Sequence, residues 1–423
     1  MMSKWIAAGA ATALLLSACG GGTDRTKAQV RLVNASTGYP SLDLNVDGQG
    51  RQGAVAYGAT DSYVEIDPGK TATTLNSAGS STALLSFTPS LSKNNHYTLL
   101  AWGLQGALKE LQLDEDTGAP DTNKTLLRVF NAAPDAGALD VYLTGTTDAL
   151  ASAVAVQSGA QVGTLGTYLT LTSATQRLRV TAAGSKTDVR LDVPAVSLAS
   201  KQLATLVLTP GVGGVLVNAL VVTQQGSIGR QDMAFARVRA VAGMADSGSV
   251  SARVASTTLL NAVGSPAVAL YTLVPAGAQS VVVAVNNAPL PSTVQTLVAG
   301  GDYTLLVYGP LASPTASWIT DDNHAPSDST QAKIRVANGL ATLSTPLAMT
   351  ANFVPLPDTA ARGSASSYGS VKPTITGTLS VTSSSLTQPV YSATTQTFAA
   401  GAVYTLFVVG NDATPTGILS QDR

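Results

Sequence analysis

The chain has 423 residues, of which only 12% are charged, and its formal net charge is −1 at pH 7. A typical soluble protein carries about 25% charged residues, and a chain without a basic stripe has no electrostatic footprint for nucleic acid. The length allows roughly three or four domains of about 100–150 residues each. Gly, Ala, Ser, Thr and Val are frequent, which favours strands and small-residue turns over solvated helices.

The first 28 residues are typical of an exported protein with a lipid anchor. Residues 1–18 combine a short basic start with an apolar run of signal-peptide length, too short to span a membrane. The run ends in the sequence LSAC, whose last residue, Cys19, is the only cysteine of the chain. This end resembles the lipobox of bacterial lipoproteins, which implies that Cys19 carries acyl chains and that residues 19–28 form a flexible tether.

A lipidated Cys19 has consequences for location and stability. Two or more long acyl chains, at about 0.8 kcal/mol per buried CH₂, anchor a protein durably, so the membrane is one expected partner. Gly20 follows the cysteine, and this resembles sorting to the outer membrane, with the chain facing the periplasm or the cell surface. No cysteine would then be left for a disulfide. The alternative is an ordinary cleaved signal peptide with an incidental cysteine.

The chain repeats one strand-rich pattern four times. Each copy opens on a short run around an arginine: VRLVNA at 30–35, LRVFNA at 127–132, VRAVAG at 238–243 and IRVANG at 334–339. Three copies close on a nearly identical run: YTLLAW at 97–102, YTLLVY at 303–308 and YTLFVV at 404–409. By subtraction, spacings of 97, 111 and 96 residues separate the opening arginines Arg31, Arg128, Arg239 and Arg335. Each copy is therefore long enough to bury its own core.

Short alternating runs separated by turns, without a credible amphipathic helix, are typical of β-sandwiches. We therefore predict an all-β protein with four tandem immunoglobulin-like β-sandwich repeats after the signal peptide, over residues 29–121, 125–225, 234–323 and 333–423. We expect these repeats to be separate beads and the arginines in their strands to lie on solvated faces. Tyr168 of the second repeat occupies the slot of Tyr63 in the first. Residues 358–397, rich in Ser, Thr, Ala and Gly, are predicted to be a long mobile insertion.

A family resemblance rests on the same runs. The paired pattern of residues 30–46 and 127–143, followed by a YG or VG turn and a closing YTLLxxG, resembles the bacterial domain-of-unknown-function family 4397. The resemblance implies secreted or lipid-anchored β-sandwich domains in tandem. It implies no activity.

No motif in the sequence predicts catalysis. The run GQGRQG at 48–53 has the spacing of a dinucleotide fingerprint, but a strand-like run follows where a helix is needed, so we interpret it as a hairpin. His96 and His324 each lack a second His or a Cys nearby, which argues against zinc and against a Ser-His-Asp triad. Asp43 and Asp140 occur one per repeat, too far apart to share a glycoside, and we expect them to bond turns or to face outward. The sequence therefore predicts that the protein is not an enzyme.

Carboxylates cluster at two of the junctions between repeats. Asp114 and Asp116 lie at the first junction, and Asp321 and Asp322 lie at the third. Ca²⁺ binds six to eight oxygen ligands, and an Asp-rich linker between sandwiches can supply several of them. We favour the alternative, a solvated acidic linker, because no matching acidic loop is evident. No other cofactor is expected.

Together these patterns predict a non-catalytic lipoprotein of the cell envelope with a structural or adhesive role. Its expected partners are the membrane, through the anchor, and an envelope protein or glycan, but not nucleic acid. One alternative is a polysaccharide- or peptidoglycan-binding module that uses the loop ends of the sandwiches, where Tyr39, Tyr57 and Tyr368 could be exposed. A more remote alternative is an envelope hydrolase whose site no motif reveals.

Overall fold

Strands make up nearly all of the regular structure. The computed structural model describes residues 24–423, which contain 37 strands and three short 3₁₀ helices, at Pro134–Ala136, Leu150–Ser152 and Ala245–Ser247. No helix in this part of the chain is long and apolar enough to cross a bilayer. The all-β prediction is confirmed. The predicted signal peptide (1–18) and Cys19 lie outside the described residues.

The strands fall into four successive groups, for which we keep the name repeats. Repeat one contains β1 (Ala28–Asn34), β2 (Ser41–Val46), β3 (Gln49–Ala56), β4 (Val64–Ile66), β5 (Gly69–Lys70), β6 (Thr73–Ser77), β7 (Ala83–Phe87), β8 (Ser90–Leu91), β9 (His96–Trp102) and β10 (Lys109–Asp114). Repeat two contains β11 (Lys124–Asn131), β12 (Leu139–Thr144), β13 (Gln157–Ala160), β14 (Leu169–Thr172), β15 (Thr175–Ala182), β16 (Val189–Ser197), β17 (Leu203–Pro210), β18 (Val217–Thr223) and β19 (Ile228–Gln231).

Repeats three and four follow the same plan. Repeat three contains β20 (Phe235–Met244), β21 (Ser249–Val254), β22 (Thr257–Gly264), β23 (Ala267–Val268), β24 (Thr272–Pro275), β25 (Gly277–Val285), β26 (Ala288–Pro289), β27 (Thr293–Leu297), β28 (Asp302–Gly309) and β29 (Thr315–Asp321). Repeat four contains β30 (Ala332–Leu340), β31 (Leu347–Ala351), β32 (Val354–Pro355), β33 (Gly369–Val371), β34 (Thr374–Ser383), β35 (Tyr391–Phe398), β36 (Val403–Gly410) and β37 (Thr416–Gln421).

Each repeat is a sandwich of two sheets, and we call the sheet that holds the opening strand the inner sheet. In repeat one the inner sheet has the order β10-β9-β1-β4 and the outer sheet the order β3-β2-β6-β7. In every repeat the opening strand lies inside its sheet and runs parallel to the closing strand: β1 with β9, β11 with β17, β20 with β28 and β30 with β36. An antibody constant domain, by contrast, carries its first strand at the edge of a sheet.

The core of each repeat lies between its two sheets because the strands alternate in polarity. In β2 the buried residues Leu42, Leu44 and Val46 alternate with half-buried ones, so one face of the strand is apolar. Leu32 and Leu99 supply the opposite wall of this core from the inner sheet. Equivalent clusters of buried aliphatic residues fill repeats two, three and four.

Two further cores lie between repeats. The first joins the inner sheets of repeats one and two, with members Val33, Ala35, Leu100, Trp102, Phe130, Ala132, Val207, Leu220 and Val222. The second joins the inner sheets of repeats three and four, with members Val241, Leu306, Tyr308, Ile319, Ala337, Phe407 and Val409. All residues of β1 and β30 are buried, as expected for strands covered on both faces. The prediction of separate beads is therefore wrong: the repeats pack face to face in two pairs.

Two other expectations also need correction. Residues 358–397, predicted as a mobile insertion, contain β33, β34 and all but the last residue of β35, and β34 and β35 are half of the outer sheet of repeat four. The end of the predicted tether is held as well, since Lys27 pairs with Asp67 at 2.5 Å and β1 begins at the next residue. Small and polar residues marked these segments as flexible, but strand pairing orders the first, and an ion pair next to β1 holds the end of the second.

Candidate functional site

Every opening strand carries an arginine that is held by a threonine and a tyrosine of the same repeat. Nε of the arginine donates to a threonine hydroxyl on the closing strand at 2.8–3.0 Å. A tyrosine ring lies with its centroid 4.4–5.0 Å from the guanidinium carbon, within the range of a cation–π contact. We call this arrangement the arginine unit, and its four copies are Arg31–Thr98–Tyr63, Arg128–Thr205–Tyr168, Arg239–Thr304–Tyr271 and Arg335–Thr405–Tyr368.

Strand alternation places each arginine on the face that the neighbouring repeat covers. In β1, Leu32 belongs to the core of repeat one, whereas Val33 belongs to the core shared with repeat two, and Arg31 lies on the same face as Val33. Arg31, Arg239 and Arg335 are only 2%, 1% and 4% exposed. The prediction that these arginines lie on solvated faces is wrong, because it took one sandwich as the unit that buries surface.

Repeats three and four exchange charges across their interface. Arg239 of repeat three donates from Nη1 to Oδ1 of Asp422 in repeat four at 2.5 Å. Arg335 of repeat four donates to Asp321 of repeat three. Thr405 donates to the second oxygen of Asp422 at 2.5 Å. The exposed fraction of each charged side chain is at most 4%, so these charge-assisted bonds form where water does not compete.

Asp321 is the centre of this charged cluster. It also accepts hydrogen bonds from the hydroxyls of Thr304 at 2.6 Å and Tyr271 at 2.7 Å. Burial alone would raise the pKa of Asp321, but Arg335 and Arg239 outweigh it and hold that pKa below its ordinary value. Burial, followed by the Asp321 carboxylate, raises the pKa of Tyr271 well above its ordinary value. The phenol therefore keeps its proton and remains a donor to the carboxylate.

Repeats one and two meet through a different arrangement of the same parts. Arg31 donates to Glu115 of its own repeat at 2.7 Å, and to the backbone carbonyls of Thr223 and Gly226 in repeat two at 2.8 and 2.5 Å. Tyr63 donates its hydroxyl to Glu115. Burial, and then the bond to Glu115, raises the pKa of Tyr63 above its ordinary value. The junction is again locked by a buried guanidinium, but the carbonyls of repeat two replace a carboxylate there.

Gln224 of repeat two occupies the position of the missing carboxylate. The equivalent position is recognised by its backbone. In repeats one, two and four, the residue there donates its backbone amide to the carbonyl of the residue that lies two positions before the threonine of the arginine unit. Glu115 and Asp422 hold that position in repeats one and four, and Asp321 holds it in repeat three by strand register. The side-chain oxygen of Gln224 is buried and has no partner among the described residues.

The aspartates of the first junction that we considered for calcium lie near the surface. Asp114 is exposed at the end of β10. Asp116 accepts hydrogen bonds from the backbone and the ring of His96 at 2.7 and 2.9 Å. Among residues 24–423, no three His, Cys, Asp or Glu side chains are grouped so that they could hold a metal ion. At this junction the solvated linker stays the favoured prediction and calcium the less favoured alternative, and nothing here tests either.

The aspartates of the third junction bind cations of the protein itself. Asp321 lies between two guanidinium groups, so the solvated linker predicted there is wrong for this residue. Asp322 bonds the ring of His324 at 2.6 Å and the ammonium of Lys333 at 3.0 Å. The bond to Asp322 raises the pKa of His324 above its ordinary value. The acidic pattern at this junction therefore marks ion pairs within the protein.

The remaining candidates from the sequence have structural roles. Asp43 accepts hydrogen bonds from the backbone amides of Ala54 and Gly79 at 2.6 and 2.8 Å, and Asp140 makes an equivalent pair with two glycine amides at 2.7 and 2.9 Å. The turn-bonding role expected for both is confirmed. Residues 48–53 begin the second strand of a hairpin, as interpreted from the sequence.

The tyrosines expected near turns are only partly available to a ligand. Tyr39 is 8% exposed, and its hydroxyl accepts a hydrogen bond from the amide of Gly106 at 2.9 Å. The hydroxyl of Tyr57 bonds Thr209 of repeat two at 2.7 Å. Tyr368 is half-buried and belongs to an arginine unit. These rings therefore contribute mainly to packing.

Two cavities of about 600 Å³ each lie at junctions between repeats. The first lies between repeats three and four, beside Tyr368. The second lies where repeats two, three and four meet, and Arg190, Tyr271 and Arg423 line it. Leu270, also in its lining, is 89% exposed. Both cavities are therefore bordered by groups that could orient a polar ligand.

Sequence reasoning found the arginines but missed most of their partners. The tyrosines follow their arginines by 32, 40, 32 and 33 residues, by subtraction. The carboxylates of repeats one, three and four follow by 84, 82 and 87 residues. Comparing these spacings between repeats would have revealed the units. Only the packing of repeats in pairs could have shown which arginine each carboxylate reaches.

Comparisons with known proteins identify a family for this chain. A family model described as a domain of unknown function (DUF4397) matches residues 28–142 and 236–345, just over half of the chain. Each match covers one repeat and the opening strand of the next, and so includes both opening strands of a pair. No curated protein matches. Among solved structures, the Bacillus anthracis TIE protein is 8% identical to this chain, with a TM-score of 0.15. The match covers 87% of this chain but only 65% of the TIE protein chain, which is less than two thirds of the length of that chain.

Proposed function

The chain belongs to the family described as a domain of unknown function (DUF4397), and we propose a function from the contacts within the chain itself. In this proposal the protein is a non-catalytic, lipid-anchored protein of the cell envelope that acts as a stiff structural or adhesive spacer. The observation that carries this proposal is that the repeats are joined by buried contacts. A spacer holds a partner at a fixed distance only if its joints resist bending.

The joints within each pair combine apolar packing with buried charge. Trp102 of repeat one meets Phe130 of repeat two edge to face, with ring centroids 5.2 Å apart. In the other pair, the guanidinium of Arg239 in repeat three lies 4.9 Å from the ring centroid of Phe407 in repeat four. Small polar interfaces between domains allow motion, whereas large apolar ones restrict it. Both joints have a buried apolar centre, which supports restricted motion.

The two pairs are also joined to each other. The amide of Gly213 in repeat two donates to the carbonyl of Gly300 in repeat three at 2.8 Å. Asp135 of repeat two accepts a hydrogen bond from the amide of Ala325, in the linker before repeat four, at 2.9 Å. Each repeat is thus braced against the next, which supports a stiff assembly of all four.

The location at the envelope rests on Cys19 and the segment before it. The test is to express the native chain and a Cys19→Ala variant, and to label both metabolically with an alkyne fatty acid. The native chain should be labelled and should sediment with the outer membrane, whereas the variant should be unlabelled. An unlabelled native chain in the soluble fraction would contradict the anchor.

The spacer role is tested by small-angle X-ray scattering of residues 24–423. A stiff chain should give the scattering curve calculated from the structure, with one well-defined maximum dimension. A curve that requires an ensemble of freely jointed sandwiches would contradict the proposal. Changing the salt concentration is a useful control, since buried ion pairs are screened much less than exposed ones.

Binding of a polysaccharide or of peptidoglycan is the alternative, and the cavity shared by repeats two, three and four is the observation that favours it. Arg190 and Arg423 pair with Asp188 and Asp135, so the cavity suits the hydroxyl groups of a neutral sugar, and the exposed Leu270 could pack on the apolar face of that sugar. A glycan array with residues 24–423 tests this alternative. Binding that is lost in Leu270→Asp but kept in Val154→Asp, an equally exposed apolar site elsewhere, would support it.

A further inference from the structure

We propose that Arg128, at the junction of repeats one and two, is a binding site for a carboxylate group of a ligand. The proposal goes beyond the spacer role and depends neither on the lipid anchor nor on stiffness. It follows from comparing the two pairs of repeats, in which the arginine, threonine, tyrosine and carboxylate positions hold the same types of side chain with one exception.

The exception is a missing negative charge. In the pair formed by repeats three and four, two arginines of the arginine units face two carboxylates, Asp321 and Asp422. In the pair formed by repeats one and two, two arginines face only Glu115, because Gln224 stands at the equivalent position of repeat two. At these positions, repeats three and four have equal numbers of guanidinium groups and carboxylates, whereas repeats one and two have one guanidinium in excess.

The excess charge falls on Arg128. Glu115 is committed to repeat one, since one of its oxygens accepts from Arg31 and the other from Tyr63. Of the four other arginines of repeat two, three pair with aspartates: Arg177 with Asp192, Arg190 with Asp188 and Arg230 with Asp232. The fourth, Arg179, is buried and donates to the hydroxyl of Thr144 and the carbonyl of Asp148. In the described part of the chain, Arg128 forms no ion pair of this kind. Arg128 as a whole residue is half-buried, whereas Arg31, Arg239 and Arg335 are buried, so this unit is the one that is open to a ligand.

Arg128 is also held in place before any ligand arrives. Its Nε donates to Thr205 at 3.0 Å, and the ring of Tyr168 lies with its centroid 4.4 Å from the guanidinium carbon. These contacts leave the two terminal nitrogens to bind an anion. A guanidinium already fixed in one orientation loses less conformational freedom on binding than a mobile one.

The equivalent sites indicate which anion fits. Arg239 and Arg335 each receive a carboxylate at their terminal nitrogens, so the architecture of the unit accommodates a planar carboxylate. Arginine binds such groups through parallel N–H bonds. The ligand class is therefore a carboxylic acid, such as a sugar acid or the end of a peptide.

The test measures binding of four probes to the purified full chain by calorimetry: acetate, glucuronate, acetyl-alanine and inorganic phosphate. We expect the carboxylates to bind and Arg128→Gln to weaken them at least tenfold. Arg230→Gln is the matched control, because Arg230 also lies over a tyrosine, with 5.0 Å between its guanidinium carbon and the ring centroid of Tyr57, but already pairs with Asp232. Binding of the carboxylates to Arg230→Gln should equal their binding to the native chain. Preference for glucuronate would identify a sugar acid as the ligand, and preference for acetyl-alanine would identify a peptide end.

A second variant keeps the test decisive if Arg128→Gln does not fold. Gln224→Glu restores the second carboxylate of the junction. By equivalence with Asp422 it should pair with Arg31 and free Glu115 to reach Arg128, as Asp321 reaches Arg335. It should therefore abolish binding of all carboxylates at Arg128 and raise the melting temperature. Three results would overturn the proposal: no carboxylate binding to the native chain, binding equal to that of phosphate, or binding that survives in Gln224→Glu.

Discussion

Replacing Asp321 by alanine removes the centre of the buried charge cluster between repeats three and four. Arg335 loses its carboxylate, Arg239 keeps only Asp422, and the hydroxyls of Thr304 and Tyr271 lose an acceptor. Removing one partner of a buried ion pair costs about 3–5 kcal/mol, because the other charge stays buried and unpaired. A domain is stable by about 5–15 kcal/mol in total, so this pair of repeats should lose a large part of its stability.

Native-state hydrogen exchange followed by mass spectrometry measures this loss for each pair separately. At about 1.4 kcal/mol per factor of ten, protection of the most stable amides in repeats three and four should fall by roughly 10² to 10⁴-fold. Protection in repeats one and two should not change, which provides an internal reference. Asp328→Ala is the matched control, since the side chain of this aspartate is exposed in the nearby linker and accepts hydrogen bonds from Thr330 there. It should have no measurable effect.

A double variant separates the charge from the loss of packing. Arg335→Met added to Asp321→Ala removes the uncompensated guanidinium and should recover part of the lost stability. Equal protection in the native chain and in Asp321→Ala would refute the reasoning, because it would mean that water replaces the carboxylate at no cost. The cluster would then not be buried in solution.

Three further perturbations test other parts of the structure. Burial raises the pKa of Glu110 to about 7. The stability of the fold should therefore be full below the unfolded pKa of this group, about 4.5, and should fall as the pH rises to 7. Glu110→Gln should flatten the pH dependence of the melting temperature and add roughly 1–2 kcal/mol to the free energy of unfolding at pH 8, after allowance for solvent screening. Phe407→Ala should cost about 3–5 kcal/mol and expose amides of repeat three as well as repeat four in hydrogen exchange, whereas a loss confined to repeat four would contradict the shared core. Gly214 has φ of +89°, and an added Cβ would lie 2.5 Å from the amide nitrogen of His324. Gly214→Ala should therefore melt at a lower temperature than Gly184→Ala, which has a similar φ of +78° and no atom near its Cβ.

The sequence by itself determined the repeated all-β architecture. Alternation in runs such as residues 41–46 requires one apolar face, and β-branched and small residues between turns favour strands. The recurrence of the opening arginine and the closing YTL run located the four copies. The bonds of Asp43 and Asp140 to turns were one of the two outcomes expected, and their partner amides, 11 to 44 residues away, lie within the same repeat.

Only the tertiary structure decided which surfaces are buried and which charges meet. Arg31 and Leu32 are neighbours in one strand, so strand alternation puts them on opposite faces, but the sequence could not show that a second sandwich covers the face of Arg31. Asp422 lies 183 residues from Arg239, and nothing local links them. Local preferences are set by adjacent residues, whereas burial and ion pairing depend on which distant surfaces fit together. The physical chemistry of the junctions therefore arises from the packing of the repeats in pairs.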